Sequence, residues 1–416
     1  MASTTLDPAE LSRFLTVSRA LLERATVRGA RGEVLLATPP DGSQPFVSTR
    51  DLSAAVAALS ELGELPRARA LCDFLLAVQT PSGSWEARYD PNGSPIAPAP
   101  AEDVTALAMW AVLSYARVSG DRTFAEQARE PIEAATRYTL ECTLNPYLYL
   151  VETSGSLHEA SVSEGYELWN NCAHAAAFAL GHRMYGGERF RRLGLLIRRS
   201  IGLYMTHDAR FLRRLDHAGY PDPRPDIAIM APYYFGLWAP NERSVMNSAE
   251  LIERALWNVE IGGYTRFLPY SPAERVRFPG AWPLFSAWMA QFHLDAGNKD
   301  RAETILRWLF TRMRDGELAE SIVPIPVIQR FGRERRRALA PLPALDSRVL
   351  AAERARLLAE LDAAERNAEE GTPVAIGGPL VWAHLETLRA LKRGGHLERW
   401  ESGPAAPRRT SDLSGA

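Results

Sequence analysis

Residues 46–78 read FVSTRDLSAAVAALSELGELPRARALCDFLLAV, and their spacing sets the fold class. Leu52, Val56 and Leu59 recur at three- and four-residue steps, as do Leu71, Phe74, Leu75 and Val78. That period belongs to helices with an apolar face, not to the alternation of strands. Between the two runs, Gly63 to Pro66 supplies a residue suited to ending one helix and a proline suited to opening the next. The stretch therefore predicts two helices joined as a hairpin.

The same period returns at Leu107, Trp110 and Leu113 and at Leu284, Trp288 and Phe292, and about twelve or thirteen helices follow from it along the chain. Short turns alternate with long connections at 80–102, 143–166, 207–225 and 260–281, which are rich in Pro, Gly and aromatics. Such alternation predicts helix hairpins with the long, functional loops gathered on one face. A charged Ala/Leu/Glu/Arg stretch at about 332–370 reads as a helical insertion, and 401–416 as a polar, disordered tail. One domain over 1–400 is expected, because a closed helical ring accommodates that length.

Of the 416 residues 24% are charged, yet the net charge is only −2. No global field gathers nucleic acid or an acidic membrane, so a neutral small molecule is the expected partner. Cys72, Cys142 and Cys172 lie 70 and 30 residues apart, without the close pairing of a zinc site or disulfide framework, and are expected as buried thiols. No apolar run reaches signal-peptide or membrane-span length, which predicts a soluble, cytoplasmic chain. No phosphate loop, dinucleotide fingerprint or zinc-binding helix is present, so no cofactor is implied. The sequence does not specify an oligomeric state.

Chemistry concentrates in the loops. Arg50-Asp51 pairs a guanidinium with a carboxylate, complementary donors and acceptors for a polyol, although Asp51 is equally suited to serving a helix N-terminus. Trp85 and Tyr89 offer either a stacking floor for sugar rings or core packing, and Asp103 opens a helix where it would also reach a ligand. Further along come Gly-Gly-Tyr264-Thr-Arg266 with Trp282-Pro283, Asp315-Gly-Glu317-Leu-Ala-Glu320, and Pro379-Leu-Val-Trp382-Ala-His384.

In this order, from residue 46 to about 393, the motifs resemble the glucoamylase family of inverting exo-α-glucosidases. That resemblance implies an all-α (α/α)6 toroid, a six-hairpin barrel with long loops on one face. It implies substrate contacts from Arg50, Asp51, Trp85, Tyr89, Asp103, Trp169, Asn170, Arg266, Trp282, Trp382 and His384, with His384 in a supporting role. Glu320 takes the place of the general base. The substrate implied is an α-1,4 or α-1,6 glucoside or short oligosaccharide, short because no starch-binding module or N-terminal β-sandwich is seen. Leu268-Pro269 stands where the family carries acidic residues after its arginine, a departure at the outer subsites.

The general acid leaves two registers open. Matching Tyr166-Glu167 to the family's Trp-Glu makes Glu167 the acid. Matching Glu167-Leu168-Trp169-Asn170-Asn171 to its Asp-Leu-Trp-Glu-Glu puts Asn170 there, and an amide delivers no proton. The second register predicts a sugar-binding toroid or a non-hydrolytic catalyst. A third reading comes from Gln79 to Trp85, which fits the Q-x-x-x-G-x-W pattern of terpene and prenyl cyclases, though neither repeats of it nor an Asp-rich motif accompany it.

Overall fold

The computed structural model describes residues 6–96, 101–153, 165–268, 280–313, 315–324 and 373–397, with isolated helical positions between 333 and 366. The expected insertion at 332–370 and the tail at 401–416 therefore lie almost wholly outside the described residues. Twelve α-helices are described: α1 (Pro8–Ala25), α2 (Thr49–Leu62), α3 (Leu65–Ala77), α4 (Glu102–Ser119), α5 (Arg122–Tyr138), α6 (Leu168–Tyr185), α7 (Glu188–Tyr204), a short α8 (Ala231–Tyr234), α9 (Arg243–Leu256), α10 (Pro283–Asp295), α11 (Lys299–Thr311) and α12 (Val381–Arg393). A tight helical turn, Ile227–Met230, leads into α8.

The hairpin read from residues 46–78 is α2 and α3. Ser48 caps α2 by accepting the Asp51 amide, Gly63 ends it at φ 93°, and Pro66 lies in the first turn of α3. These are the local signals that make the chain reverse there.

Two kinds of helix alternate. In α2, α4, α6, α10 and α12 nearly every residue is buried, with Ala54, Ala55, Ala57 and Ala58 in α2 and Ala173, Ala175, Ala176 and Ala177 in α6. A helix buried all round has neighbours on every side, and alanines let those neighbours approach closely. By contrast α7 buries a single stripe, Phe190, Leu193, Ile197 and Ile201. The fully buried helices pack in sequence, α2 on α4, α4 on α6, α6 on α8, α10 on α12 and α12 back on α2. The Tyr234 ring of α8 lies 4.4 Å from Trp288 of α10 and joins the remaining gap. Outside them, α3 packs on α2, α5 on α4, α7 on α6, α9 on the turn before α8, α11 on α10, and α1 on α12.

The segments that lead into the inner helices are tied to one another. Val47–Ser48 pairs with Arg88–Tyr89, Tyr166–Glu167 with Arg214–Leu215, and Ser321–Val323 with Val374–Ile376. Single bridges join Asp226 to Phe267, Thr265 to Ala281 and Ala281 to Ile322, and the Val381 amide donates to the Ala37 carbonyl. The N-terminal ends of the inner helices thus share one rim.

Cys72 and Cys172 are buried, as expected; Cys142 is exposed, because it falls in the wide helical turn Thr139–Thr143 that extends α5 beyond the packed layer. Among the described residues no helix is long and apolar enough to cross a membrane, and no group of His, Cys, Asp and Glu is placed to hold a metal ion.

Candidate active site

Six chain segments bring polar side chains to this rim. At the start of α2, Arg50 donates from Nε to Asp103 Oδ2 at 2.8 Å and from Nη2 to Oδ1 at 3.0 Å. Asp103 is the second residue of α4 and wholly buried. It also accepts the indole N–H of Trp169, from the start of α6, at 3.0 Å. Burial pushes the Asp103 carboxyl above its ordinary range, Arg50 pulls it back, and the nearby charge of Glu167 raises it further. That last effect places Glu167 in the same electrostatic cluster.

Glu167 is fully buried and immediately precedes α6, its strand held against Arg214. The asparagines that follow behave differently from one another. Asn171 accepts the Val151 amide and gives both of its N–H donors to the Val151 and Glu167 carbonyls, so it fastens backbone. Asn170 is also fully buried; its Nδ2 donates to Thr153 Oγ1 at 2.7 Å, and its Oδ1 has no hydrogen-bond partner among the described residues.

From the next loop, Arg266 sits over the rings of Trp282 and Phe285, at 5.4 and 5.8 Å from their centroids. The Trp282 amide donates to the Tyr264 carbonyl, holding the residue that caps α10. The aromatic surface continues inward: Phe285 lies 5.1 Å from Trp288, Trp288 stacks on Trp169 at 5.3 Å and 10°, and Trp382 meets Trp288 at 5.9 Å. Trp382 Nε1 donates to Glu386, which also accepts from Tyr234, Gln291 and Arg389.

Glu320 completes the set, in the segment that leads to α12. Its amide donates to the Gly377 carbonyl at 2.6 Å, and its Oε2 accepts from Gln44 Nε2 at 3.2 Å. Two residues on, Ile322 bridges Ala281 beside Trp282. Glu317, a further acid of this loop, is held by Arg24 of α1 at 2.6 Å. Arg50 and Asp51 open α2, and Arg266 and Glu320 stand in segments ahead of α10 and α12; Asp51 is half-buried with its amide given to the Ser48 cap.

Two of the expected substrate contacts, Trp85 and Tyr89, are corrected. Trp85 donates its indole N–H to the Leu75 carbonyl at 2.7 Å, and the Tyr89 hydroxyl donates to the Val78 carbonyl while accepting the Glu86 amide. Both are buried and seal the end of α3, so the core-packing alternative describes them and the stacking floor does not. His384 has the hydrogen-bonded, supporting place expected of it. It stacks on Phe14 of α1 at 5.2 Å, its Nε2 accepts the Leu318 amide at 2.8 Å, and its Nδ1 faces Ser18 Oγ at 2.8 Å. Because a backbone N–H points at Nε2, the ring is neutral and carries its proton on Nδ1.

Sequence reading missed Trp288, Tyr234 and Phe285, whose helical spacing is indistinguishable from core, and Gln44, which has no motif around it. It also missed the buried pair Arg213–Asp226 at 3.5 Å; Asp226 caps the turn before α8 by accepting the Ala228 amide. Asp103, Glu167 and Asp226 all stand at helix N-termini, where free amides and the helix dipole favour negative charge.

A helical ring with carboxylates and a guanidinium gathered over an aromatic floor at its N-terminal rim defines a class, the glucoamylase-type glycosidase fold. The comparisons with known proteins give this class particular members. The chain is similar to a wild-type glycosidase of known structure (TM-score 0.68, 18% identity, 94% of this chain and 100% of that one). It is similar also to a bacterial glucoamylase complexed with acarbose (TM-score 0.65, 13% identity, 92% of this chain and 55% of that one) and to the glucoamylase of Saccharomycopsis fibuligera (TM-score 0.58, 14% identity, 96% and 97%). In sequence it is 24% identical over 285 residues to an uncharacterized glycosyl hydrolase of Methanocaldococcus jannaschii, over 67% of this chain and 45% of that protein. The chain thus spans less than half the length of that relative. No family model matches it.

Proposed function

We propose that the protein is an inverting, exo-acting α-glucosidase built on an (α/α)6 toroid. The observation that supports this reading is the joining of Arg50, Asp103 and Trp169 across the starts of α2, α4 and α6, with Arg266 over Trp282 at the start of α10 and Glu167 and Glu320 in the segments ahead of α6 and α12. Arg50 and Arg266 donate to the hydroxyls of a terminal glucose, and Trp282 and Trp169 offer apolar ring faces. Glu167 protonates the departing glycosidic oxygen, the step that a general acid supplies in this chemistry. Glu320, held by Gln44 and the Gly377 carbonyl, takes the proton of the attacking water. Glu167 precedes α6 and Glu320 precedes α12, three inner positions apart around the ring. Inversion requires the two carboxyl groups to stand about 6.5–9.5 Å apart with a water between them. Structural neighbours in complex with glucose and with acarbose agree with a sugar ligand.

The test is anomer-resolved NMR of maltose and isomaltose turnover. β-Glucose is the expected first product, abolished in Glu320→Gln; α-glucose as first product overturns inversion, and no turnover of any α-glucoside overturns the hydrolase reading.

The Asn170 side chain supports a second reading, in which this position replaces the general acid and the toroid binds sugar without hydrolysing it. The buried carbonyl oxygen of Asn170 is then an acceptor for a sugar hydroxyl. Saturable glucoside binding by calorimetry without turnover is its expected outcome. The cyclase reading loses its support, because Gln79 is engaged by the Gly83 and Pro131 carbonyls and Trp85 by the Leu75 carbonyl, so both serve to hold backbone.

A further inference from the structure

At the opposite end of the ring, where the inner helices finish, lies a cavity of ≈ 490 Å³. Its walls come from the last turns of α2, α4, α6, α10 and α12 and from the chain after α8. The aromatic side is Trp110, Tyr233, Phe235 and Trp238. The charged side is Arg117, Arg183, Arg389 and Arg393 against two carboxylates, Glu61 and Asp295.

Those two carboxylates are already engaged. Arg389 donates to Glu61 at 2.9 and 2.8 Å, and Arg393 donates to Asp295 at 2.6 Å and to the Tyr233 hydroxyl at 2.9 Å. Arg117 and Arg183 are exposed; Arg117 acts on the Glu61 carboxylate at longer range, and neither stands within 4.0 Å of a carboxylate in the ion pairs of the described residues. The Trp238 ring carries Arg198 on one side at 4.8 Å, and a neighbouring hollow adds Arg199. Arginines near helix C-termini are favoured by the helix dipole alone. That effect does not account for an excess of cations facing a cavity with a ring-lined wall, in a protein whose net charge is −2.

We propose that this rear cavity binds a small organic phosphate, a phosphate monoester on a body of about hexose size. The guanidinium forks of Arg117 and Arg183 take the dianion, and Trp238 and Phe235 cover the ring. The volume is that of a small-ligand pocket. The site is separate from the rim where the proposed hydrolysis occurs, and the inference stands whether or not that reading holds.

The experiment is calorimetric titration of the full chain with glucose 6-phosphate, inorganic phosphate and glucose, in the parent and in R117A/R183A. Saturable glucose 6-phosphate binding is expected, weakened at least about tenfold in the double variant, with glucose heats identical in the two proteins. Absence of glucose 6-phosphate binding, or equal affinity in the double variant, overturns the site. Inorganic phosphate binding as tightly as glucose 6-phosphate overturns the organic ligand. Both arginines are exposed, so the melting temperature of the variant should match the parent, and binding loss then reports the site and not the fold.

Discussion

His384 links two elements through one ring. It receives the amide of Leu318, two residues before Glu320, and gives its own proton toward Ser18 of α1. His384→Phe keeps the stack on Phe14 but leaves the Leu318 N–H buried without an acceptor, a loss of about 1–3 kcal/mol. If Glu320 is the base, the same change loosens its loop, and kcat should fall roughly ten- to a hundredfold with KM little changed; thermal melts and steady-state kinetics read the two effects separately. At the acid, Glu167→Gln should lower turnover by about 10²–10⁴. Asn170→Glu is the complementary substitution: under the second reading it creates hydrolysis, whereas under the first it crowds Thr153 and gains nothing. Activity assays on the two variants decide between Glu167 and Asn170.

Among elements, the rim depends on close backbone approach. Gly377 has φ +67°, and a Cβ added there would stand 2.5 Å from Glu320 Oε2 and 2.9 Å from its Cβ. Gly377→Ala is thus expected to push the Glu320 side chain out of place as well as strain the turn, lowering kcat far more than folding stability, as measured by kinetics beside a denaturant titration. The first turns of α2 and α4 are joined by the bidentate Arg50–Asp103 pair, 8% and 0% exposed at the side chains. Asp103→Asn leaves a buried guanidinium without its counter-charge, so a loss of about 3–5 kcal/mol in unfolding free energy is expected. The same replacement weakens the anchor of the Trp169 indole. The helix hairpins themselves were legible, since caps and turn residues such as Ser48 and Gly63 act on their own neighbours in the chain.

Over the whole molecule, stability should depend on acid pH in a defined window. Burial lowers the pKa of His384 from 6.5 to about 3 and that of His174 to about 4. Folded values below the ordinary one mean that the unfolded chain binds more protons as the pH falls through 6.5. Their contribution is therefore complete above pH 6.5 and lost progressively below it. By pH 5 each ring should cost about 2 kcal/mol, so melting temperatures should decline between pH 6.5 and 4; a flat profile there would show that these rings titrate normally. The ring also carries a buried polar axis, from Trp382 at the aromatic floor through Glu386 and Arg389 to Glu61 near the rear cavity. Tyr234 and Gln291 complete the bonding of Glu386, so the axis joins α8, α10, α12 and α2.

The sequence by itself determined the helical class and the hairpin of α2 and α3, because periodicity and capping are interactions between residues a few positions apart. It also located Glu320 in its loop, though Glu317 was separated from it only by the Arg24 ion pair across the fold. Tertiary structure alone decided the place of each aromatic: Trp85 and Trp282 both stand in loops ahead of a helix, yet one seals α3 and the other lies beside Arg266. The same holds for Asp103, whose partners Arg50 and Trp169 stand 53 and 66 residues away. A side chain's chemistry depends on its neighbours in space, and in a closed ring those come from segments that local spacing does not relate.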